Sequence, residues 1–169
     1  VATTTSRGAT AFGIWPFNRY RRIEITGGIF QSQQRFEDVN LEQFSQQYQE
    51  AQYGRSLFNN GYLVPFGVAL VQETTIFREF GPLSGSTARL SYEIAPKIAG
   101  SLTRQTVDGD VRKYLRLGGS GLLALRARGF KSWGDNPGYV FFGGNSEMRG
   151  YEYLEFLGQN GYHLNAELR

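Results

Sequence analysis

The chain has no cysteine, so neither a disulfide framework nor thiolate chemistry is open to it. It has one histidine, His163, which excludes zinc or triad chemistry that needs further His or Cys partners. Long hydrophobic runs are absent too. No stretch reaches the ~18 consecutive apolar residues of a membrane helix, and the mean hydropathy is −0.38. Charge of one sign is scarce: 18 Lys and Arg stand against 15 Asp and Glu, a net +3. The basic residues are spread through strand-like stretches, so there is no nucleic-acid footprint. Val1 opens a small, polar Thr/Ser/Gly stretch with no apolar core of a leader. The expectation is that a leader has been removed or that the chain is a fragment of something longer.

What the chain does have is glycine (22), tyrosine (10) and phenylalanine (13), in segments that alternate with period two. At 169 residues a single domain is the default. Low mean hydropathy does not exclude a membrane barrel, because a barrel strand turns only every second residue to lipid. Soluble sandwiches have similar composition.

Residues 1–15 read as a polar segment or weak strand. The first clear strand runs from about Asn18 to Gln34, with Ile23, Ile25 and Ile29 on one face and Arg22, Glu24 and Thr26 on the other. Residues 36–60 read as a long loop carrying a short helix near 40–52. Asn40 is its expected cap, with Gln43 in the capping-box position, and Phe44 and Tyr48 share a face. Asn59-Asn60-Gly61 is a turn signal. In the following strand, to about Phe77, Phe66, Val68 and Leu70 oppose Gly67, Ala69 and Val71. Pro65 argues for an edge or a strand start.

From Ser86 to Ile98, Ala88, Leu90, Tyr92 and Ile94 alternate with Thr87, Arg89, Ser91 and Glu93. Asp108, Asp110, Arg112, Tyr114 and Arg116 share one parity in the next strand, opposite Val111, Leu115, Leu117 and the exception Lys113. The last strand opposes Tyr162, Leu164, Ala166 and Leu168 to His163, Asn165 and Glu167. At least six strands result. The short connections, near 80–85, 99 and 118–121, do not strictly alternate with the long ones at 36–60 and 133–160.

The most distinctive segment is Gly143-Gly144-Asn145-Ser146-Glu147-Met148-Arg149-Gly150-Tyr151. Glycines that reach positive φ let such a loop fold back. Arg149 would then bring a permanent charge into a confined space. By spacing alone, an ordinary exposed Gly-rich hairpin loop is an equal reading.

Phe141-Phe142-Gly143-Gly144, then Met148-Arg149-Gly150-Tyr151, then Gly161-Tyr162-His163-Leu164-Asn165-Ala166-Glu167-Leu168-Arg169 resemble the bacterial surface-antigen superfamily. These are the barrels of outer-membrane-protein assembly and polypeptide secretion. The resemblance is strong over about 55 residues from Leu115 and continues more weakly back to about Pro16. It implies an all-β, antiparallel transmembrane β-barrel in the bacterial outer membrane. The chain would be part of a roughly sixteen-stranded barrel, or a smaller one of about eight strands. It implies that Arg149 reaches into the lumen and pairs with acids on later strands, for which Glu167, on the neighbouring strand, is a poor substitute. Met148 and Tyr151 would pack the loop against the wall while Gly150 permits its turn.

The implied role is assembly and insertion of outer-membrane proteins, or polypeptide translocation. The same pattern also resembles barrels appended to periplasmic propellers or lipases. The expected partners are outer-membrane lipid, unfolded polypeptide substrates, or other envelope chains at open strand edges. A structural anchor subunit of an envelope complex and a soluble sandwich or lipocalin-like binder are the alternatives.

The chain ends about one strand after the loop. Open edges are not tolerated in lipid, so three outcomes are expected: this is part of a larger chain, its edges pair with another chain, or it closes as a barrel of about eight strands.

No enzyme, cofactor or metal site is expected. Arg149 cannot serve as a general base. His163 reads as a strand-face polar residue. Asp108, Asp110 and Asp135 lack calcium-loop spacing. Ser120 sits in a hairpin, not a nucleophile elbow. Arg89, Arg104, Arg112, Arg116, Arg126 and Arg128, balanced by Glu93 and Asp110, are expected to face the lumen. They would form either a conduit for polar chain segments or, slightly favoured, neutralised wall charges.

Overall fold

A computed structural model describes residues 2–36, 38–53, 60–79, 81–119, 121–144, 148 and 150–169. Period-two alternation, with glycines inside the strands as well as at the turns, yields an antiparallel β protein with one short helix. The elements in chain order are β1 (Ala2–Asn18), β2 (Arg21–Phe36), α1 (Val39–Tyr53), β3 (Gly61–Leu63), β4 (Phe66–Glu73), β5 (Ile76–Arg78), β6 (Gly81–Ala95), β7 (Arg104–Leu117), β8 (Gly121–Trp133), β9 (Val140–Phe142), β10 (Phe156–Gly158) and β11 (Asn160–Leu168). One sheet runs β1-β2-β4-β6-β7-β8-β11, with β3 added on β2 and β5 on β6, and β9 and β10 make a separate pair. The sheet is not closed among the described residues.

Three departures from the sequence reading have local causes. Residues 2–15 follow the strand alternative and not that of a polar segment: they make up most of β1, paired to β2 from Ala2 to Asn18. Small polar side chains left little hydrophobic alternation to read there. The strand expected from Tyr62 to Phe77 is three pieces. Pro65 cannot donate to a ladder, and the chain breaks there. It breaks again at Thr74-Thr75, whose hydroxyls bond Ser86 and Thr87 across the gap (3.1 and 2.8 Å). Gly85, at φ 105°, permits that close approach. Finally, Asp38 rather than Asn40 caps α1: its Oδ1 accepts from Asn40 N (2.8 Å) and its carbonyl from Glu42 N (3.1 Å). Asn59 of the Asn-Asn-Gly turn lies outside the described residues.

With these corrections the connections sort by end. The β1–β2, β5–β6 and β7–β8 turns gather at one end of the sheet. The α1 segment, residues 96–103 and residues 134–159 gather at the other.

Register fixes two faces, because directly paired residues share a side. One rung reads Trp15, Ile23, Leu70, Leu90, Gly109, Gly129, Tyr162. The next, displaced by one residue, reads Pro16, Arg22, Val71, Arg89, Asp110, Arg128, His163. The apolar face is the open one and the charged face the sheltered one: Leu70 is 52% exposed, whereas its neighbours Ala69 and Val71 are 4% and 7% exposed. The parities read from the sequence for β2, β4, β6, β7 and β11 all hold. What the sheet buries is therefore small (Ala69, Val71, Ala95, Ala124), joined by Leu63, Val140 and Phe142. No large side chain among the described residues is completely buried. No helix of the described residues is long and apolar enough to cross a membrane, which says nothing of strands.

Candidate functional site

Even-numbered positions of β2 and β7 and odd-numbered positions of β6 converge on the charged face, where the register brings opposite charges side by side. Glu24 accepts from Arg22 Nε (2.8 Å) and from Arg89. Glu93 Oε1 takes both Nε and Nη2 of Arg104 (2.9 and 2.7 Å). Asp110 is held from two sides: Arg112 reaches it along its own strand (3.1 and 2.8 Å), and Arg126 across from β8 (3.2 and 2.7 Å). Arg128 lies 3.8 Å from Asp108.

Arg112 and Arg126 each grip both oxygens of Asp110, the bidentate fork in which arginine binds carboxylate best. The ion pairs come in sequence as a belt crossing β2, β6, β7 and β8. Of the residues expected to face a lumen, Arg89, Glu93, Asp110, Arg112, Arg126 and Arg128 lie together on the charged face of the open sheet, each in an ion pair. Arg116 instead donates to the carbonyl of Gly119 (3.3 Å) at the turn end. The sequence reading missed Glu24 and Asp108 as partners, although the parity of β2 already placed Arg22 and Glu24 together.

The long segment after β8 folds back over this face. Ser132, almost wholly buried, pins its start. The Ser132 hydroxyl accepts from Gly138 N (2.9 Å) and meets Thr106 Oγ1 (2.9 Å). Thr103 and Asp135 latch the neighbouring loop: Thr103 N donates to Asp135 Oδ2 (3.3 Å) and Asp135 N to Thr103 Oγ1 (3.1 Å). The Thr103 hydroxyl, then its backbone N–H, hold the exposed Asp135 carboxyl below the usual carboxylate range.

Phe142 then turns inward. Its ring meets His163 edge-on at 5.2 Å, and the Arg128 guanidinium lies 5.5 Å from its centroid. His163 is only 6% exposed under it. The Phe142–His163 contact was not legible from the sequence, since neither residue's partner is near it in the chain. Opposite Phe142 stands Gly161, where a β-carbon would come to 2.8 Å from the ring.

The loop residues singled out in the sequence divide. Gly143, Gly144 and Gly150 all take positive φ (133°, 84° and 90°), as a returning loop requires. A β-carbon at Gly143 would run into the carbonyl of Glu152. Met148 N donates to the Gly144 carbonyl (2.8 Å), and Met148 shares a cleft of about 260 Å³ with Phe142, Phe156 and His163. Tyr151 does not pack on the wall: it is half exposed and its ring meets Phe156 of β10 at 5.1 Å. Arg149, with Asn145, Ser146 and Glu147, lies outside the described residues, as does Ser120.

Chemically, the arrangement is a wall of fixed, mutually compensated charges with a loop seated on it. Among the described residues no three His, Asp or Glu converge to hold a metal ion. Neither the known protein-family models nor the curated proteins contain a match to this chain.

Proposed function

We propose that this chain forms part of the wall of a bacterial outer-membrane β-barrel, and that the barrel serves the assembly and insertion of outer-membrane proteins or the translocation of polypeptide. The apolar face meets lipid, and the charged face lines a wet interior. The observation that carries this reading is the segregation of the two faces: Trp15, Ile25, Val68, Leu70, Leu90, Val111, Leu164 and Leu168 lie exposed on one side, while the ion-paired belt lies on the other. Dimensions agree. The outer side of β8 takes ten residue steps from Leu123 to Trp133, apolar but for Lys131 beside the Trp133 ring at its end. That is about 33 Å at ~3.3 Å per residue. A tilt near 40° makes it about 25 Å of membrane depth, the height of a lipid-facing barrel band. Long connections at one end and short at the other follow the same plan.

The transport role rests on the resemblance of the 141–151 segment and on the loop that returns over the charged face. Outer-membrane lipid is the first partner and unfolded polypeptide the second. A structural anchor subunit of an envelope complex is the second reading, favoured by the outer sides of β1 and β11, which meet no strand among the described residues.

Both tryptophans, Trp15 and Trp133, stand on the apolar face. In vesicles of brominated phosphatidylcholine their fluorescence should be quenched strongly, and unquenched emission at a water-exposed wavelength would remove the wall. Presenting an unfolded outer-membrane protein to vesicles that carry this chain should raise its folded yield, and an unchanged yield would remove the assembly role.

A further inference from the structure

Most arginines of the sheet have an acid. Arg22, Arg89, Arg104, Arg112, Arg126 and Arg128 all meet carboxylates on the charged face. Arg21 stands on the other face, two residues from Ile23 and directly paired with Gln72. Among the described residues it meets no carboxylate. Its Nε donates to Gln72 Oε1 (3.0 Å), a neutral acceptor on the neighbouring strand. That contact aims the guanidinium and leaves both Nη groups unengaged among the described residues.

A permanent charge on a lipid-facing side is expensive near the midplane and tolerated where it reaches the headgroups. Arg21 sits at that level. It is the first residue of β2, at the short-turn end, where Tyr20 N and Arg21 N both donate to Asn18 Oδ1 (2.8 and 3.0 Å). Trp15 pairs with Ile23 beside it, and Tyr20 precedes it with the Arg19 guanidinium 4.5 Å over its ring. Tryptophan and tyrosine favour the membrane boundary.

From Arg21 an apolar groove of about 360 Å³ runs across the outer face. Phe17, Leu70, Leu90 and Val111 stand along it, and the small residues Ala88 and Gly109 keep its floor low. Arg21 on β2 and Gly109 on β7 are three strand spacings apart, about 14 Å at ~4.8 Å each. A slot of that length suits an extended hydrocarbon chain better than a compact ligand.

We infer that this groove, given the wall reading above, holds one acyl chain of a glycerophospholipid whose phosphate rests on Arg21. Charge complementarity selects the occupant. A guanidinium fork takes phosphate oxygens through paired N–H donors, and the groove beside it offers only apolar contact. A second copy of the sheet brings no such anion: the strand acids Glu24, Glu73, Glu93, Asp108, Asp110 and Glu167 all lie on the charged face.

The full chain is reconstituted in vesicles of phosphatidylglycerol and brominated phosphatidylcholine, extracted in mild detergent and weighed intact by native mass spectrometry. The expected result is one phosphatidylglycerol retained per chain. Arg21→Gln and Gly109→Leu should each lower that retention about tenfold, the first by losing a charge-assisted pair and the second by filling the groove. A β-carbon at Gly109 meets only Leu90 Cδ1, at 3.6 Å, so the second change fits the fold. Lys131→Gln, which removes an outward cation 5.7 Å from the Trp133 ring at the other end of the sheet, should leave retention unchanged. Diacylglycerol, with the same chains and no phosphate, should not be retained.

Retention unchanged in both variants, or diacylglycerol held as well as phosphatidylglycerol, overturns the inference. So does displacement of the lipid by inorganic phosphate, or a lipid-free mass of two chains. Quenching of Trp15 and Trp133 by the brominated lipid is read on the same vesicles. Strong quenching with retention unchanged in Arg21→Gln removes the lipid site and leaves the wall. Absent quenching in the native chain removes the wall reading and the site with it.

Discussion

Asp110→Asn is the most informative single change on the charged face. Asp110 accepts four charge-assisted hydrogen bonds, two from Arg112 and two from Arg126, all between 2.7 and 3.2 Å. The side chains of Asp110 and Arg126 are 17% and 15% exposed, whereas Arg112 is 42% exposed. Stranding the sheltered Arg126 falls under the cost of breaking a buried pair, roughly 3–5 kcal/mol at full burial. Losing the Arg112 contact falls under the surface-pair range of about 0.2–1 kcal/mol. Partial exposure of the first term brings the total to about 3 kcal/mol. The cost should come chiefly from the uncompensated guanidinium, so Asp110→Asn combined with Arg126→Gln should cost less than Asp110→Asn alone. Urea unfolding in lipid vesicles, followed by loss of heat-modifiable mobility on gels, reads both. Glu50→Gln, at an exposed position of α1, is the control and should stay within about 0.5 kcal/mol. A cost below about 1 kcal/mol for Asp110→Asn, or a double variant as unstable as the sum of its parts, would refute a sheltered, charge-paired belt.

Three further outcomes are expected. Leu90→Arg puts a charge on the open face and should lower stability in vesicles by about 2–4 kcal/mol if it lies near the bilayer midplane, while Ser91→Arg, one residue away on the charged face, should cost less; equal costs would count against lipid on one side only. Gly143→Val forces a β-branched residue into φ 133° beside the Glu152 carbonyl and should destabilise loop docking by about 1–3 kcal/mol, seen as new protease cleavage between 134 and 159. The Asp135 carboxyl is lowered by Thr103, so its contribution to the loop latch is present above the ordinary aspartate pKa and is lost as pH falls through the lowered one. Acid should therefore loosen the 134–138 segment in the native chain and leave Asp135→Asn insensitive, as proteolysis at graded pH would reveal.

Much of the fold was legible because alternation survives in the residues themselves. Val68-Ala69-Leu70-Val71 and Leu90-Ser91-Tyr92-Glu93 declare their faces without help from the rest of the chain. Residues 2–11 did not, since Thr, Ser, Ala and Gly serve either side of a strand equally. The helix was legible and its cap was not, because Asp38 and Asn40 are both good caps and only the backbone chooses between them. For the charged face, the side on which each arginine falls followed from parity. Its partner followed only from register, which placed Asp110 beside Arg126 and Glu24 near Arg89 across strands 16 and 65 residues apart. The Phe142–His163 seat depends on the path of a loop, and no local pattern encodes it.

Single cysteines placed one at a time from Leu123 to Ser132 in the otherwise cysteine-free chain test the central claim most directly. In vesicles, positions 126, 128 and 130 should react with a membrane-impermeant thiol reagent, the buried positions 124 and 132 should be shielded from it, and positions 123, 125, 127, 129 and 131 should be silent to it and quenched by lipid-borne probes. Uniform reactivity along β8, or alternation of the opposite sense, would contradict a sheet with hydrocarbon on one side and water on the other.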